Sequence, residues 1–241
     1  MLVHQYNNGQ NTFRDAVLEL VWPTRCSGCE RPGELLCDTC RAALLPIALR
    51  YACPDCGAPF GYQVCTECYS REGKEQHEFS AAVCALELGE ISGRIIVLYK
   101  DYNEHRLSAI LSEYLCLALP SSWFAWADVL TWIPSDKKAF KRRGFDHMQR
   151  MAQHAALILD LPVQPLLDKA PCADQRGLNR DQRSRNLQES FSIPDEADRI
   201  PPHVLLIDDV FTTGSTLDAA TIKLKEGGAS EVRVACVARA W

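Results

Sequence analysis

Four C-x-x-C pairs, Cys26/Cys29, Cys37/Cys40, Cys53/Cys56 and Cys65/Cys68, hold eight of the twelve cysteines of this 241-residue chain. Two thiolates three residues apart can sit on one tight turn and aim at one ion, and two such turns complete a tetrahedral Zn²⁺ shell of four sulfurs. In chain order, the first two pairs are separated by seven residues and the last two by eight. A cross-braced grouping, first with third and second with fourth, leaves gaps of 23 and 24. The consecutive grouping is favoured because each closed loop is local, which gives two structural zinc sites. A redox reading fits poorly, since thioredoxin-type chemistry uses one such pair opening a helix after a strand. His77, just beyond the cluster, reads as a linker residue. Cys84, Cys116, Cys172 and Cys236 stand alone and read as small buried apolar groups.

A second constellation runs from Val204 to Leu217. The apolar residues Val204 to Ile207 suit a buried strand of a parallel sheet. The next residues then fall at the strand's carboxyl edge, where α/β folds bind ligands. Asp208 and Asp209 end that strand as adjacent acids, suited to ribose hydroxyls and hydrated Mg²⁺. Thr212, Thr213, Gly214, Ser215 and Thr216 then turn into a helix, whose N-terminal N–H groups and hydroxyls form a phosphate cradle. Gly214 is expected to let the backbone approach the anion closely. Helix capping alone accounts for one hydroxyl, not for two acids and four hydroxyls within nine residues. A P-loop is excluded, because no G-x-x-x-x-G-K-[ST] occurs. The stretch resembles the 5-phosphoribosyl-1-pyrophosphate (PRPP) motif of type I phosphoribosyltransferases, which implies PRPP with Mg²⁺ as the ligand.

Two basic segments accompany it. Ile133, Pro134 and Ser135 close a strand and are followed by Lys137, Lys138, Lys141, Arg142 and Arg143, then Gly144, Phe145 and Asp146. Pyrophosphate is a compact polyanion, so a basic loop at a strand's carboxyl end suits it. The other segment, from Gln175 and Leu178 through Arg185, Asn186, Leu187 and Phe191, carries four arginines in ten residues. A charge run alone usually means a solvated loop; the phosphate cradle downstream favours function here.

The elements that must position these groups follow from periodicity. Strands are expected near Ala81–Leu88, Asp128–Ile133, Val163–Leu167, Val204–Ile207 and Val232–Ala238. Helices are expected near Ile91–Lys100, His105–Leu119, His147–Leu159 and Ser215–Glu226, the last stopped by Gly227 and Gly228. Strands alternating with amphipathic helices indicate an α/β sheet. A short helix over Thr12–Val21 precedes the cysteines, and the polar stretch Ser70–Glu78 reads as a linker. The expected organisation is a Cys-rich double zinc ribbon over residues 1–75 and an α/β domain over 79–241. With 47% hydrophobic and 24% charged residues the chain is an ordinary globular one. Its net charge of -5 argues against a generic polyanion binder. The polar N-terminus does not read as a signal peptide, and no run approaches the 18 apolar residues of a membrane helix, so a cytoplasmic location without membrane insertion is the expectation.

Taken together the chain resembles the ComF/GntX family over nearly its whole length. The resemblance rests on the cysteine ribbons, Leu98 to Lys100, Pro134, Arg142 to Phe145, then Gln175, Leu178, Arg183 or Arg185, Asn186 and Phe191, and the PRPP motif. Asp146 stands where the family usually has Asn, and Asp174 where it usually has Thr. The family implies a type I phosphoribosyltransferase-like parallel sheet flanked by helices, behind the double zinc ribbon. It also implies a link to DNA uptake, natural competence or use of external DNA. As an enzyme, the chain would be a glycosyltransferase of unnamed acceptor. Asp208 and Asp209 would hold the ribose, Thr212 to Thr216 the 5-phosphate, and Lys100, Arg142, Arg143 and Arg185 the pyrophosphate. The alternative is a non-catalytic competence factor that binds single-stranded DNA or DNA-uptake proteins and uses the PRPP site as a sensor. A dimer is compatible with either.

Overall fold

The computed structural model describes residues 23–59, 64–69, 77–170, 186–195, 197 and 199–241. The helix expected over Thr12–Val21, Cys172 and the arginine-rich stretch from Asp174 to Arg185 lie outside the described residues. The chain forms two compact units, residues 1–43 and 44–241.

The described part of the first unit is a metal-knuckle turn followed by a short helix, α1 (Asp38–Ala42). The turn is closed by an antiparallel bridge between Arg25 and Pro32. Glu30 takes the left-handed conformation there, with φ 65°, and donates its N–H to the Cys26 carbonyl at 2.7 Å.

The second unit holds the second cysteine quartet, whose segment includes the short helix α2 (Thr66–Tyr69), and the sheet. Its strands are β1 (Ala81–Glu87), β2 (Val129–Trp132), β5 (His203–Phe211) and β6 (Glu231–Arg239), in the order β1-β6-β5-β2. All three pairings are parallel. A parallel sheet covered on both faces needs strands that are apolar throughout. Val204 to Ile207 and Val232 to Ala238 meet that need and form the centre of the core, except Arg233, which is half-buried. The free edge of β1 is covered by residues 45–47: Ile47 N–H donates to the Ala85 carbonyl and Glu87 N–H to the Leu45 carbonyl, both at 2.9 Å. An edge strand paired in this way no longer offers a bare ladder to another chain.

Among the described residues, the helices that cross between the strands or flank them include α3 (Glu90–Asp101), α4 (Leu107–Ala118), α5 (Ser121–Trp126), α7 (His147–Leu159) and α8 (Ser215–Glu226). The basic segment expected as a loop is itself a helix, α6 (Lys137–Arg143). Asp136 caps it, accepting from Ala139 N–H at 2.7 Å, and Gly144 stops it in the left-handed region at φ 78°. A strand over Val163–Leu167 is not formed. Val163 makes only an isolated parallel bridge to Leu130, and the chain then passes to a two-stranded antiparallel pair, β3 (Asp168–Lys169) with β4 (Phe191–Ser192). Pro162 and Pro165 flank that bridge, and a residue without an N–H cannot extend a ladder. β5 also runs further than expected. It continues through Asp208 and Asp209 to Phe211, with Asp208 in register with Cys236.

Candidate functional site

The four strands point the same way, so their carboxyl ends share one edge. There β5 delivers Asp208 and Asp209, and Gly214 turns the chain into α8. Thr212, Thr213 and Ser215 are exposed and Thr216 is half-buried, so the hydroxyls of this loop face outward. Thr213 Oγ1 lies 3.0 Å from Ser215 Oγ and accepts weakly from Ser215 N–H at 3.4 Å. α8 has no side-chain cap at its N-cap position. Apart from the weak Ser215–Thr213 contact, the positive dipole end of α8 faces the loop with no acidic cap at Gly214, a setting that suits an anion.

Gly214 serves packing as much as approach. It sits at φ 80°, and a Cβ there would lie 2.6 Å from the His77 ring and 3.0 Å from that of Phe211. His77 is thus no mere linker residue. Its ring stacks on Phe79 at 4.5 Å, and its Nδ1–H donates to the Asp218 carboxylate at 3.0 Å. Asp218 also accepts from Glu78 N–H at 2.9 Å, which fixes this segment to the first turn of α8.

The two acids differ in setting. Asp209 is buried, and a lysine and a histidine converge on it. Lys100, from the end of α3, donates to Asp209 Oδ2. His147, the first residue of α7, places Nε2 3.1 Å from the same oxygen. Burial would raise the Asp209 carboxyl, but the His147 hydrogen bond and the Lys100 charge outweigh it and hold the group well below the usual carboxylate range. Asp208 is half-buried, and among the described residues no cation bonds it as Lys100 bonds Asp209. Burial, and then the charge of Asp209, push its carboxyl up to about 7.

His147 is not among the site residues that the sequence motifs single out, yet it is central. Its Nδ1 faces Arg143 Nη1 at 3.2 Å and Ser135 Oγ at 3.2 Å. Arginine can only donate, so Nδ1 is an acceptor and the ring proton sits on Nε2, directed at Asp209. Arg143 is itself only 7% exposed and reaches back to Asp101 at 3.2 Å. Asp101, Arg143, His147, Asp209 and Lys100 therefore form one continuous network. Arg142 shares Asp101 at 3.1 Å but remains largely exposed. The signal for His147 is its place just after Asp146, at a helix start beside the basic run. Arg185 lies outside the described residues.

Asp146 has its carboxylate engaged by neighbouring groups of the fold. It is the N-cap of α7, accepting from Met148 N–H at 3.0 Å and Gln149 N–H at 3.3 Å. It also accepts from Ser135 N–H at 3.1 Å and Trp132 Nε1 at 3.3 Å, which ties the end of β2 to the start of α7. The Arg142-to-His147 stretch is thus a helix stop followed by a helix cap, and it aims Arg143 at His147 and His147 at Asp209.

The cysteines group consecutively, as favoured. In each quartet, Cys26, Cys29, Cys37 and Cys40 or Cys53, Cys56, Cys65 and Cys68, the four sulfurs lie within 4.8 Å of one another. Cys29 and Cys37 Sγ are 3.7 Å apart, and Cys56 and Cys65 Sγ 3.6 Å. A tetrahedral zinc with Zn–S of about 2.3 Å sets sulfurs about 3.8 Å apart, so both quartets fit the ion. The backbone repeats too: Cys37 N–H donates to Cys26 Sγ and Cys65 N–H to Cys53 Sγ, each at 3.3 Å. The second knuckle is packed on the sheet at Gly57, where a Cβ would lie 2.9 Å from the Cys84 backbone nitrogen.

Comparison with known proteins agrees with this geometry. A family profile described as the double zinc ribbon domain matches residues 17–71, and one described as the phosphoribosyl transferase domain matches residues 148–240. The chain is 26% identical to the DNA utilization protein YhgH of Salmonella typhi, covering 91% of this chain and 99% of that one. It is 26% identical to competence protein F of Haemophilus influenzae, covering 85% and 90%. To competence protein ComFC of Streptococcus pneumoniae it is 25% identical, covering 78% and 87%. Parallel sheet, acid pair, phosphate-type loop and paired Cys₄ sites define a phosphoribosyltransferase-like protein carrying a double zinc ribbon. The chain combines a double zinc ribbon with a phosphoribosyl transferase domain and is similar over most of its length to DNA utilization and competence proteins, and the two quartets fit the zinc ions such a ribbon takes.

Proposed function

We propose that the chain binds PRPP at the carboxyl edge of β5 and transfers its phosphoribosyl group to an acceptor. The observation that carries this reading is the juxtaposition of the Asp208–Asp209 pair with the exposed hydroxyl loop that opens α8 at Gly214. The 5-phosphate takes the Thr212 to Thr216 loop, and the ribose hydroxyls donate to Asp208 and Asp209. Lys100 and the exposed cations of α6 face the pyrophosphate, while Arg143 acts through His147. Asp208 and Asp209 offer the hard oxygen donors that suit Mg²⁺, which when bound neutralises pyrophosphate charge. The acceptor's lone pair forms a bond to the anomeric carbon as the C–O bond to pyrophosphate breaks, and the acceptor sheds a proton. Positioning and charge stabilisation supply the catalysis. Pyrophosphate release with a panel of nucleobases and amines should rise above background for one acceptor class. Release that stays at background with every acceptor, while PRPP still binds, overturns the transferase step.

A second reading has its own observation. α6 presents Lys137, Lys138, Lys141 and Arg142 to solvent together with Phe140, which is 47% exposed. Cations beside an exposed aromatic suit single-stranded DNA, and the relatives' names, DNA utilization protein and competence protein, point the same way. Arg143, turned inward, takes no part in this surface.

A further inference from the structure

The last residue of β6 joins two sites that the sequence keeps apart. Arg239 is 2% exposed, the largest fully buried side chain among the described residues. Its guanidinium has two working ends. Nη1 donates to the carbonyls of Thr212 at 2.9 Å and Phe211 at 3.5 Å, at the root of the phosphate-type loop, and to that of Ala240. Nη2 donates to Cys56 Sγ at 3.7 Å and to Glu67 Oε2 at 2.9 Å, both in the second cysteine quartet's segment. The plane also lies over the Phe211 ring, 4.6 Å from its centroid. A zinc ion held by four thiolates leaves that centre with a net charge of about -2, which attracts a buried cation and strengthens its hydrogen bond to sulfur.

We propose that Arg239 is the positioning residue of the phosphate-binding loop, a strut that ties the Thr212 carbonyl to the zinc-bound thiolate of Cys56. This rests on the reading of that loop as the PRPP site. The second ribbon is then part of the ligand site's framework, and its metal sets the loop's affinity. With zinc in place, Arg239 is held by Cys56 and Glu67 and keeps the Phe211–Thr212 carbonyls turned inward, leaving the amides of α8 pointed at the ligand. Without zinc the quartet no longer holds its shape around Cys56, Arg239 loses its anionic centre, and the loop loses its anchor. Linkage makes the effect reciprocal: whatever zinc adds to PRPP affinity, PRPP adds to zinc retention.

The test uses the full chain loaded with two zinc ions. Zinc is withdrawn with a chelator, with and without saturating Mg²⁺ and PRPP, and exposure of each cysteine is followed by alkylation and peptide mass spectrometry. PRPP should slow alkylation of Cys53, Cys56, Cys65 and Cys68 at least fivefold. Arg239→Lys keeps the charge but cannot span both ends; it should lose that protection and bind PRPP at least tenfold more weakly. Glu67→Gln, on an exposed side chain, should show a smaller loss of both, and serves if Arg239→Lys does not fold. Unchanged alkylation rates in a wild type that binds PRPP, or full protection in Arg239→Lys, overturn the strut. Should the wild type bind no PRPP, the functional reading fails instead, and the strut is judged without ligand. Zinc withdrawal must then speed amide exchange over Phe211 to Thr216 at least tenfold, and unchanged exchange overturns it.

Discussion

Asp208 and Asp209 are neighbours of identical type held in opposite states. Asp209 is an anion at any working pH, because His147 and Lys100 hold it so despite its burial. Asp208 retains its proton up to about pH 7, and only its carboxylate can accept from a ribose hydroxyl with full strength. Lowering the pH through 7 therefore protonates Asp208 and weakens binding. We expect PRPP affinity to be level above pH 8 and to fall about tenfold by pH 6. Titrations across that range check the sign; tighter binding at pH 6 contradicts it. Gly214 makes a separate prediction about stability. A side chain there meets a positive φ as well as the His77 and Phe211 rings. Gly214→Ala should cost about 1–3 kcal/mol or more in thermal unfolding. This residue was legible as a glycine requirement, but its reason was not. His77 lies 137 positions away in sequence (214 less 77), and no spacing rule links the two.

At the scale of elements, what was legible followed periodicity. β1, β2, β5, β6 and helices α3, α4, α7 and α8 lie close to where apolar alternation and helical spacing put them. Val163–Leu167 is equally apolar, but Pro162 and Pro165 remove the N–H groups that a ladder needs. The basic run has the charge pattern of a solvated loop, which masks its helical character. Asp136 as a cap and Gly144 as a stop are the signs of a helix, and they sit at either end of it. That helix carries the DNA reading. Reversing the charges of Lys137, Lys138 and Lys141 to Glu should weaken single-stranded DNA binding. It should also flatten the slope of log affinity against log salt, by about 0.7 for each phosphate contact removed. An unchanged slope removes α6 from the DNA surface.

For the whole molecule, the net charge of -5 misleads, because it averages over an exposed cationic helix and the lysine that meets Asp209. The cysteine excess, by contrast, is informative from the first count. Spacing alone favours two local quartets, and the sulfur geometry agrees. What spacing could not convey is that the second quartet belongs to the same compact unit as the sheet, with Gly57 against Cys84 and Arg239 between Cys56 and Thr212. Those contacts join residues far apart in the chain, and composition is blind to them. Among the described residues no helix is long and apolar enough to cross a membrane.

As proposed, the acid pair and the loop before α8 together form the PRPP site. Calorimetric titration with PRPP and Mg²⁺, in the wild type and in Asp209→Asn, tests it most directly. Asp209→Asn nearly keeps the shape and removes the charge that Lys100 and His147 hold in place. We expect one saturable site in the wild type and binding about a hundredfold weaker in the variant, a loss of about 2.7 kcal/mol. No heat of binding in the wild type, or equal affinity in both proteins, contradicts it.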